Sequence, residues 1–376
     1  MSGTFVMMMA AGATVEQPID GQTGVWLKSG GVTISSAMKM TGAVVSTGQS
    51  QTVYSKGTAS ASILYTNGRL FVSNGGIARD CVGNGNVAHG LFVIQGGTAS
   101  GYTLYSGDLS VNGYPEPGTL IDAVAYDGRQ FFQNYATVSN YTMSGGSLNA
   151  GAGGAAKRTY NLKVFGGNVS IYNNHHVSGA IISGGNVSMW TANARIFDAS
   201  VFSGATLLVS GGVVSGCSVT GRVSTYTGAY VTGMTVAQEG EVHFVSGGSG
   251  SGVLLSATVT RGAKLYVEFA DTCAENVTVG FGGYVVARYG GAMVSAVTVS
   301  SGGELYPLYS GSALDVTIAS GGHARAGIDG GYMSNVTVEN GGRLTVSSGG
   351  TALAVTSSAG AVVIVAEGGY IEYVTP

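Results

Sequence analysis

Acidic side chains are the first candidates for chemistry in this sequence, because two carboxyl groups about 5 to 9.5 Å apart can hydrolyse a glycosidic bond. The 19 Asp and Glu residues are scattered along the chain. Asp122 and Asp127 lie close in sequence, whereas Asp108 and Asp127, 19 residues apart, are expected on different faces. The densest acidic group consists of Glu268, Asp271 and Glu275. A solvated edge is the simpler interpretation of that group, so the sequence predicts no catalytic residue.

Histidine and cysteine positions show no pattern typical of a metal or redox site. His175 and His176 are adjacent, and adjacent residues of a strand point to opposite faces, so the two cannot readily bind one metal. A surface role is predicted for them. The cysteines form no Cys-x-x-Cys pair and are expected to be buried or half-buried small apolar residues: Cys81, Cys217 and Cys273. We therefore predict no metal and no cofactor.

Threonines recur at one position relative to a regularly spaced glycine. They stand four residues before it and would form one stripe of hydroxyl groups: Thr258, Thr278, Thr298, Thr317, Thr337 and Thr356. Strand propensity and hydrogen bonds between neighbouring hydroxyl groups explain such a stripe. A glycan-acceptor or adhesive face is the alternative.

Tyrosine is the other abundant residue that can contact ligands, with 20 copies in the chain. Its ring stacks on apolar surfaces, and it is enriched at interfaces. Seven tyrosines fall in or near the irregular middle of the chain: Tyr65, Tyr102, Tyr105, Tyr114, Tyr126, Tyr135 and Tyr141. Strand propensity explains many of them. With the threonine stripe, Tyr102, Tyr105, Tyr114 and Tyr126 are the predicted glycan or interaction face.

A repeat of about 20 residues must position these side chains. In the last third of the chain, the sequence Val-Thr-Val or Val-Thr-Ile is followed by two residues and a glycine. The anchor glycines are separated by 20, 20, 19, 20 and 19 residues: Gly262, Gly282, Gly302, Gly321, Gly341 and Gly360. Weaker copies extend towards the N-terminus with spacings of 17 to 26 residues.

Each repeat reads as short strands separated by glycine corners. Val277 and Val279 alternate with Thr278, as do Leu344 and Val346 with their neighbours. Such short strands cannot bury an apolar face alone, whereas stacked coils can. We therefore predict an all-β fold, a single-stranded parallel β-helix (solenoid) of about seventeen coils, each with 19 to 20 residues. A sandwich, barrel or propeller is the alternative for a chain of this kind.

Composition excludes several other classes of protein. Glycine accounts for 65 of 376 residues without a Gly-X-Y period, which excludes collagen. Charged residues are 9% and hydrophobic residues 44%, so the chain is expected to fold. The net charge of −3 provides no basic surface for nucleic acid. No apolar run is long enough to span a membrane as a helix, and no clear signal peptide is present.

The repeat resembles a known family. The segment Thr337 to Ala352 follows the pattern Thr-Val-x-x-Gly-Gly-x-Leu-x-Val-x-x-Gly-Gly-x-Ala, which is similar to the repeats of AIDA-type autotransporter adhesins. The resemblance covers about residues 255–365 well and the remainder faintly. It implies a secreted, right-handed parallel β-helix that mediates adhesion and self-association and can carry heptose on Ser and Thr. A C-terminal translocator barrel and a signal region, which the family has, are not recognisable here.

These observations favour a non-enzymatic, extracellular or bacterial cell-surface solenoid. Its expected partners are surface proteins or glycans, of a host or of the same cell, or further copies of the chain. A β-helical polysaccharide lyase or hydrolase using Glu268, Asp271 or Asp127 is the first alternative, and a phage or secreted fibre is the second. Four segments are predicted: a cap or irregular first coil at 1–25, degenerate coils at 26–107, irregular coils with protruding loops at 108–160, and regular coils at 161–376.

Overall fold

The computed structural model describes residues 23–85, 91–113, 116–152, 157–226, 228–245 and 252–374. These residues form β-strands and no helix. The chain divides into two units: unit 1 is Met1–Val187 with Asn193–Arg195, and unit 2 is Ser188–Ala192 with Ile196–Pro376. The predicted parallel β-helix is confirmed in both units, with about 16 turns over the described residues.

The strands that lie wholly in unit 1 are numbered β1 to β25 in chain order. They are Val25–Ser29, Val32–Ala37, Lys39–Thr41, Val44–Val45, Gln49–Val53, Thr58–Ser60, Ile63–Leu64, Arg69–Ser73, Ile77–Arg79, Val82–Asn84, Leu91–Gln95, Thr98–Ser100, Thr103–Ser106, Asp108–Gly113, Thr119–Ile121, Val124–Ala125, Arg129–Asn134, Thr137–Ser139, Thr142–Met143, Ser147–Ala152, Lys157–Tyr160, Lys163–Val164, Asn168–Ile171, His175–Ser178 and Ile181–Ile182.

Most coils of unit 1 contain three strands. One strand joins a first sheet, as β5, β8, β11, β14, β17, β20 and β23 do in parallel order. The other two join a second sheet; for example, β15 pairs with β18 and β16 with β19. At the N-terminal edge of the first sheet, β1 runs antiparallel to both β2 and β5. Residues 1–22, which hold most of the predicted cap, lie outside the described residues.

Two strands cross the boundaries between the units, β26 (Asn186–Met189) and β27 (Arg195–Phe197). The strands of unit 2, β28 to β47, are Ser200–Val201, Thr206–Val209, Gly212–Ser215, Ser218–Val219, Arg222–Thr225, Ala229–Val236, Glu241–Val245, Gly252–Val259, Lys264–Glu268, Thr272–Val279, Tyr284–Arg288, Met293–Val299, Glu304–Leu308, Ser312–Ile318, His323–Ala326, Tyr332–Val338, Arg343–Val346, Thr351–Ser357, Val362–Val365 and Tyr370–Tyr373.

Coils of unit 2 change from three strands to two. The long strand β33 pairs with both β30 and β31, so the two short strands of the second sheet become one. Apolar residues then stack in register inside; in the first sheet, Leu265 pairs with Val285 and Val285 with Leu305, and all three are fully buried. The predicted alternation holds in the second sheet, where Val277 and Val279 are buried and Thr278 is exposed.

Where a coil carries a Gly-Gly pair at this corner, the two glycines are present for two different reasons. All six anchor glycines have positive φ, with Gly282 at 69°, a conformation that glycine adopts without steric cost. The φ of the following glycine, Gly283, is not positive, but a Cβ there would overlap the carbonyl oxygen of Val259 in the preceding coil. The anchors also form a backbone ladder, in which Gly282 N–H donates to the carbonyl of Gly302 at 2.8 Å.

A second corner was not predicted from the sequence. In the second sheet, one residue per coil has φ near +55°, and in unit 1 Asn and Asp often occupy it, since their short polar side chains tolerate this conformation. There Asn140 Nδ2 donates to Asp122 Oδ1 at 2.7 Å, and Asn161 Nδ2 donates to Asn140 Oδ1 at 2.9 Å. In unit 2, Asn335 Nδ2 donates to Asp315 Oδ1 at 2.6 Å.

Alanine occupies this left-handed corner at position 296, with φ of 50°. Because a Cβ is strained in that conformation, Ala296→Asn is expected to raise the free energy of unfolding by about 1 kcal/mol. Ala296→Gly relieves the same strain without adding an amide and should stabilise less than Ala296→Asn. Chemical denaturation followed by circular dichroism measures both. A loss of stability in both variants would contradict the assigned conformation.

Candidate functional site

Three tyrosines project from the outer side of the first sheet of unit 2: Tyr266 on β36, Tyr284 on β38 and Tyr306 on β40. Strand alternation turns them outward because Leu265, Val285 and Leu305 point inward. The ring centroids of Tyr266 and Tyr284 are 6.4 Å apart at 67°, and those of Tyr284 and Tyr306 are 5.1 Å apart at 39°. We call this surface the tyrosine face. The inclined rings are not stacked on one another and so leave space between them.

Two depressions adjoin on the tyrosine face and share Tyr284. The first has a volume of about 440 Å³ and is lined by Tyr266, Tyr284, Lys264, Glu304 and the corner glycines Gly262, Gly282, Gly283 and Gly302. The second, of about 330 Å³, is lined by Tyr284, Tyr306, Leu308, Arg325, Gly327 and Ile328. Aromatic walls with a few charged groups are the typical lining of a small-molecule or sugar site.

A network of charged side chains lies beside Tyr266. Glu268 is nearly buried, and its Oε1 accepts a hydrogen bond from Arg288 Nε at 2.6 Å. His243 Nδ1 lies 3.1 Å from Glu268 Oε2, and its Nε2 lies 2.7 Å from Glu241 Oε1. Both ring nitrogens of His243 are therefore within hydrogen-bonding distance of a carboxylate. The hydrogen bond from His243 is the main reason why the pKa of Glu241 is lowered.

The same network holds the Tyr266 ring in place and provides a partner for each carboxylate oxygen of Glu268. His243 stacks on Tyr266 with centroids 4.8 Å apart, and the Arg288 guanidinium lies 4.9 Å from the ring centre. Because both carboxylate oxygens of Glu268 have partners, Glu268 supports the surface as part of a hydrogen-bonded network. Asp271 lies separately on a corner, exposed and with φ of 64°.

An aromatic row at the next corner was missed by the sequence analysis. Phe269, Tyr289 and Tyr309 have φ of 69°, 71° and 50°, which is strained for bulky side chains. The rings stack along the coils, with centroid separations of 4.9 Å and 5.8 Å. Their spacing of 20 residues, which equals the repeat, was the available signal. Since the faces cover one another, this row offers ring edges to solvent.

The predicted threonine stripe forms an in-register ladder on the second sheet of unit 2. Thr258 pairs with Thr278, and the pairing continues through Thr298, Thr317 and Thr337 to Thr356. All are exposed except Thr317, which is half-buried. The ladder also extends to three hydroxyl residues that the sequence analysis missed, Thr235, Ser218 and Ser200. Their coils have less regular spacing, which hides the register.

The tyrosines predicted in unit 1 divide between core and surface. Tyr105 and Tyr126 are each half exposed and stack with centroids 5.2 Å apart. Tyr102 is only 1% exposed, so its place on an interaction face is wrong. Its ring fills the space left by the missing side chain of Gly83. Tyr141 is also buried, and Tyr114 lies outside the described residues.

The sequence predicted that Asp108 and Asp127 lie on different faces, and this prediction is wrong. Both line one shallow depression of about 460 Å³ at the glycine corner of unit 1. Asp108 forms a two-pronged ion pair with Arg129, at 2.9 and 2.7 Å, and Asp127 Oδ1 accepts from Gly128 N–H at 2.7 Å. The corner brings them together because consecutive coils repeat the same turn.

Buried polar residues of unit 1 correct the predicted surface role of the histidine pair. His175 is fully buried and His176 is half-buried, so the two do point to opposite faces. The Nε2 atom of His175 lies 2.8 Å from Thr159 Oγ1, and burial is the main reason why its pKa falls to about 3. Buried Lys157 donates from Nζ to the carbonyls of Gly151 and Asn173 at 3.1 and 3.0 Å.

The described ranges contain neither a metal-binding cluster nor a membrane-spanning helix. Among those residues, no group of three or more His, Cys, Asp or Glu side chains could hold a metal ion. Cys81 and Cys217 are buried and Cys273 is half-buried, as predicted. Burial raises the pKa of Cys81 to about 11 and that of Cys217 to about 12. No helix long and apolar enough to cross a membrane occurs in this part of the chain.

Fold and surface together define a parallel β-solenoid with exposed side-chain ladders. No family model matches the chain, and neither does any curated protein. One similar solved structure is a TibC-catalysed hyper-glycosylated TibA fragment, with 22% identity, a TM-score of 0.39, and coverage of 90% of this chain and 95% of that one. Another is the periplasmic alginate epimerase AlgG, with 9% identity, a TM-score of 0.28, and coverage of 87% and 85%. Likenesses at this level carry no information about the function of this chain.

Proposed function

We propose that this chain is a non-enzymatic, extracellular surface solenoid of adhesin type that contacts glycans through its tyrosine face. The observation that carries the proposal is the pair of adjoining depressions sharing Tyr284, walled by aromatic rings and edged by Lys264, Glu304 and Arg325. Tyrosine rings pack against the apolar face of a pyranose, and the charged groups at the edge hydrogen-bond its hydroxyl groups.

The state of Glu268 supports a binding role over catalysis. A general acid or base must be free to exchange a proton with the substrate. Arg288 and His243 occupy both oxygens of Glu268, and Arg129 pairs with Asp108 beside Asp127. Incubation with a panel of polysaccharides tests this directly: we expect no turnover. Turnover that disappears in Glu268→Gln would favour the enzyme instead.

Removing the shared ring is the sharpest test of glycan binding. Tyr284→Ala is expected to weaken binding of a glycan identified on an array by about tenfold, because it opens both depressions. Tyr284→Phe keeps the ring and should retain most of the affinity. Tyr230→Ala removes an exposed tyrosine from the other sheet of the same unit and serves as control. Equal losses in Tyr284→Ala and Tyr230→Ala, or no binding on the array, would contradict the proposal.

The hydroxyl ladder is part of the same proposal as a second contact row or a glycan-acceptor face. Its support is the exposure and register of the threonines on neighbouring strands. The intact mass of protein from the native host measures whether sugar is attached. Partners are proposed to be surface proteins or glycans, or further copies of the chain, and light scattering distinguishes a monomer from a trimeric fibre.

A further inference from the structure

The second depression of the tyrosine face contains a single charged group, and that group is cationic. Its walls are Tyr284, Tyr306, Leu308 and Ile328, and Arg325 is the charged residue among its lining. Arg325 Nε donates to Ser347 Oγ in the neighbouring coil at 2.7 Å. Ser347 is buried, so this hydrogen bond ties the guanidinium to the sheet. Nε is used in this contact, and the end of the guanidinium that carries the two terminal nitrogens can form a two-pronged contact.

Arg325 differs from the arginines that have structural roles. Arg129 is paired with Asp108, and Arg288 with Glu268. In the described ranges, no carboxylate forms an ion pair with Arg325. Guanidinium groups bind carboxylates through two parallel hydrogen bonds, so a fixed, unpaired one beside an apolar wall selects a carboxylate-bearing ligand.

A second arginine, Arg343, adds positive charge near this end of the face. His323 pairs in register with Arg343 of the next strand. The pKa of His323 is lowered, first by partial burial and then by Arg343; Glu304 acts to raise it, and Arg325 acts to lower it. Glu304, on the same strand as Tyr306, accepts a hydrogen bond from the Tyr306 hydroxyl at 3.0 Å. Glu304 lines the first depression and not the second.

We propose that the second depression binds a carboxylate-bearing pyranose, with the Arg325 guanidinium on the carboxylate and the sugar ring against Tyr306 and Tyr284. This inference rests on the proposed glycan-binding function and names its ligand class, acidic sugars of the uronate type. Its volume of about 330 Å³ is that of a site for one or two small rings. The first depression, with Lys264 and Glu304, then receives the adjoining sugar of an oligomer.

Titration calorimetry with the full chain tests the inference using three probes. They are tetragalacturonate, its fully methyl-esterified form, and monomeric galacturonate. Because a charge-assisted pair contributes more than a neutral hydrogen bond, tetragalacturonate should bind about tenfold more tightly than its ester. Monomeric galacturonate should bind more weakly than the oligomer, which tests whether the adjoining depression is used. The preference over the ester should shrink in high salt, a test that needs no variant.

Variants assign the preference to one side chain. Arg325→Gln should bind the acid and its ester equally, whereas Arg79→Gln, the same charge change on an exposed residue of unit 1, should leave the preference intact. Circular dichroism checks that both variants fold. Equal affinity of the wild type for acid and ester would overturn the ligand class while leaving glycan binding in place. Failure of every glycan to bind would overturn both proposals.

Discussion

Gly283→Ala is expected to lower the free energy of unfolding of unit 2 by about 3 kcal/mol or more. The new Cβ would overlap the carbonyl oxygen of Val259, which is backbone and cannot rotate away. That carbonyl also accepts a hydrogen bond from Gly280 N–H at 2.9 Å. Relief of the overlap therefore requires two coils to separate where their strands pair.

Gly290→Ala is the matched control for this substitution. Gly290 lies seven residues later in the same unit, its φ is not positive, and a Cβ there meets no atom within 4 Å. It should unfold at nearly the wild-type denaturant concentration. Denaturant titration followed by circular dichroism compares the three proteins. If Gly283→Ala were as stable as Gly290→Ala, the close approach of the two coils would be wrong.

Acid is expected to destabilise unit 1 through His175. Its pKa is about 3 in the folded protein against an ordinary value of 6.5, chiefly because burial penalises the imidazolium, and its Nδ1 has no hydrogen-bond partner among the residues that the structure describes. As the pH falls below 6.5, the unfolded chain binds the proton first, so stability is lost between pH 6.5 and about 3. The full loss over that window is on the order of 5 kcal/mol.

His175→Gln isolates this contribution from that of the carboxylates. Glutamine does not titrate and keeps an amide that can bond Thr159, so the variant should show a smaller loss of stability than the wild type from pH 6.5 to 3. The pKa of the half-buried neighbour His176 is also lowered, first by its partial burial, so His176→Gln should change the profile in the same direction but less than His175→Gln does. The measurement is the free energy of unfolding at a series of pH values. Parallel profiles for wild type and His175→Gln would show that the buried imidazole is not the cause.

Sequence periodicity was sufficient to predict the coil but not to predict all of its corners. The anchor glycines repeat as one letter at a nearly constant interval, and the structure assigns positive φ to all six. The left-handed corner of the second sheet is shared among Gly, Ala, Ser, Asn and Asp, because several residue types tolerate it. No single letter therefore marks it, and the Asp122–Asn140–Asn161 ladder was not predicted.

The candidate site was harder to predict than the fold because it depends on register. Tyr266 and Tyr306 occupy the same register position on their strands, whereas Tyr284 occupies the position two residues earlier on its strand. The sequence intervals between the three tyrosines are therefore unequal, and only the strand pairing shows that they share a surface. The threonine stripe was predictable because every member stands at the same distance from its glycine. Tyr102 was misplaced because its burial depends on Gly83 in the neighbouring coil, which no local pattern indicates.

The identical backbone ladder at successive glycine corners has a consequence for how the chain can evolve. From β35 to β45, each long strand pairs with the next through the same three positions centred on the stripe threonine, although coil length is 19 residues in some coils and 20 in others. Duplication or loss of one whole repeat in the gene would join surfaces that already fit each other. Each duplication or loss then adds or removes one complete set of exposed side chains. The number of binding groups per chain, and with it the multivalency, can change while each individual contact stays the same.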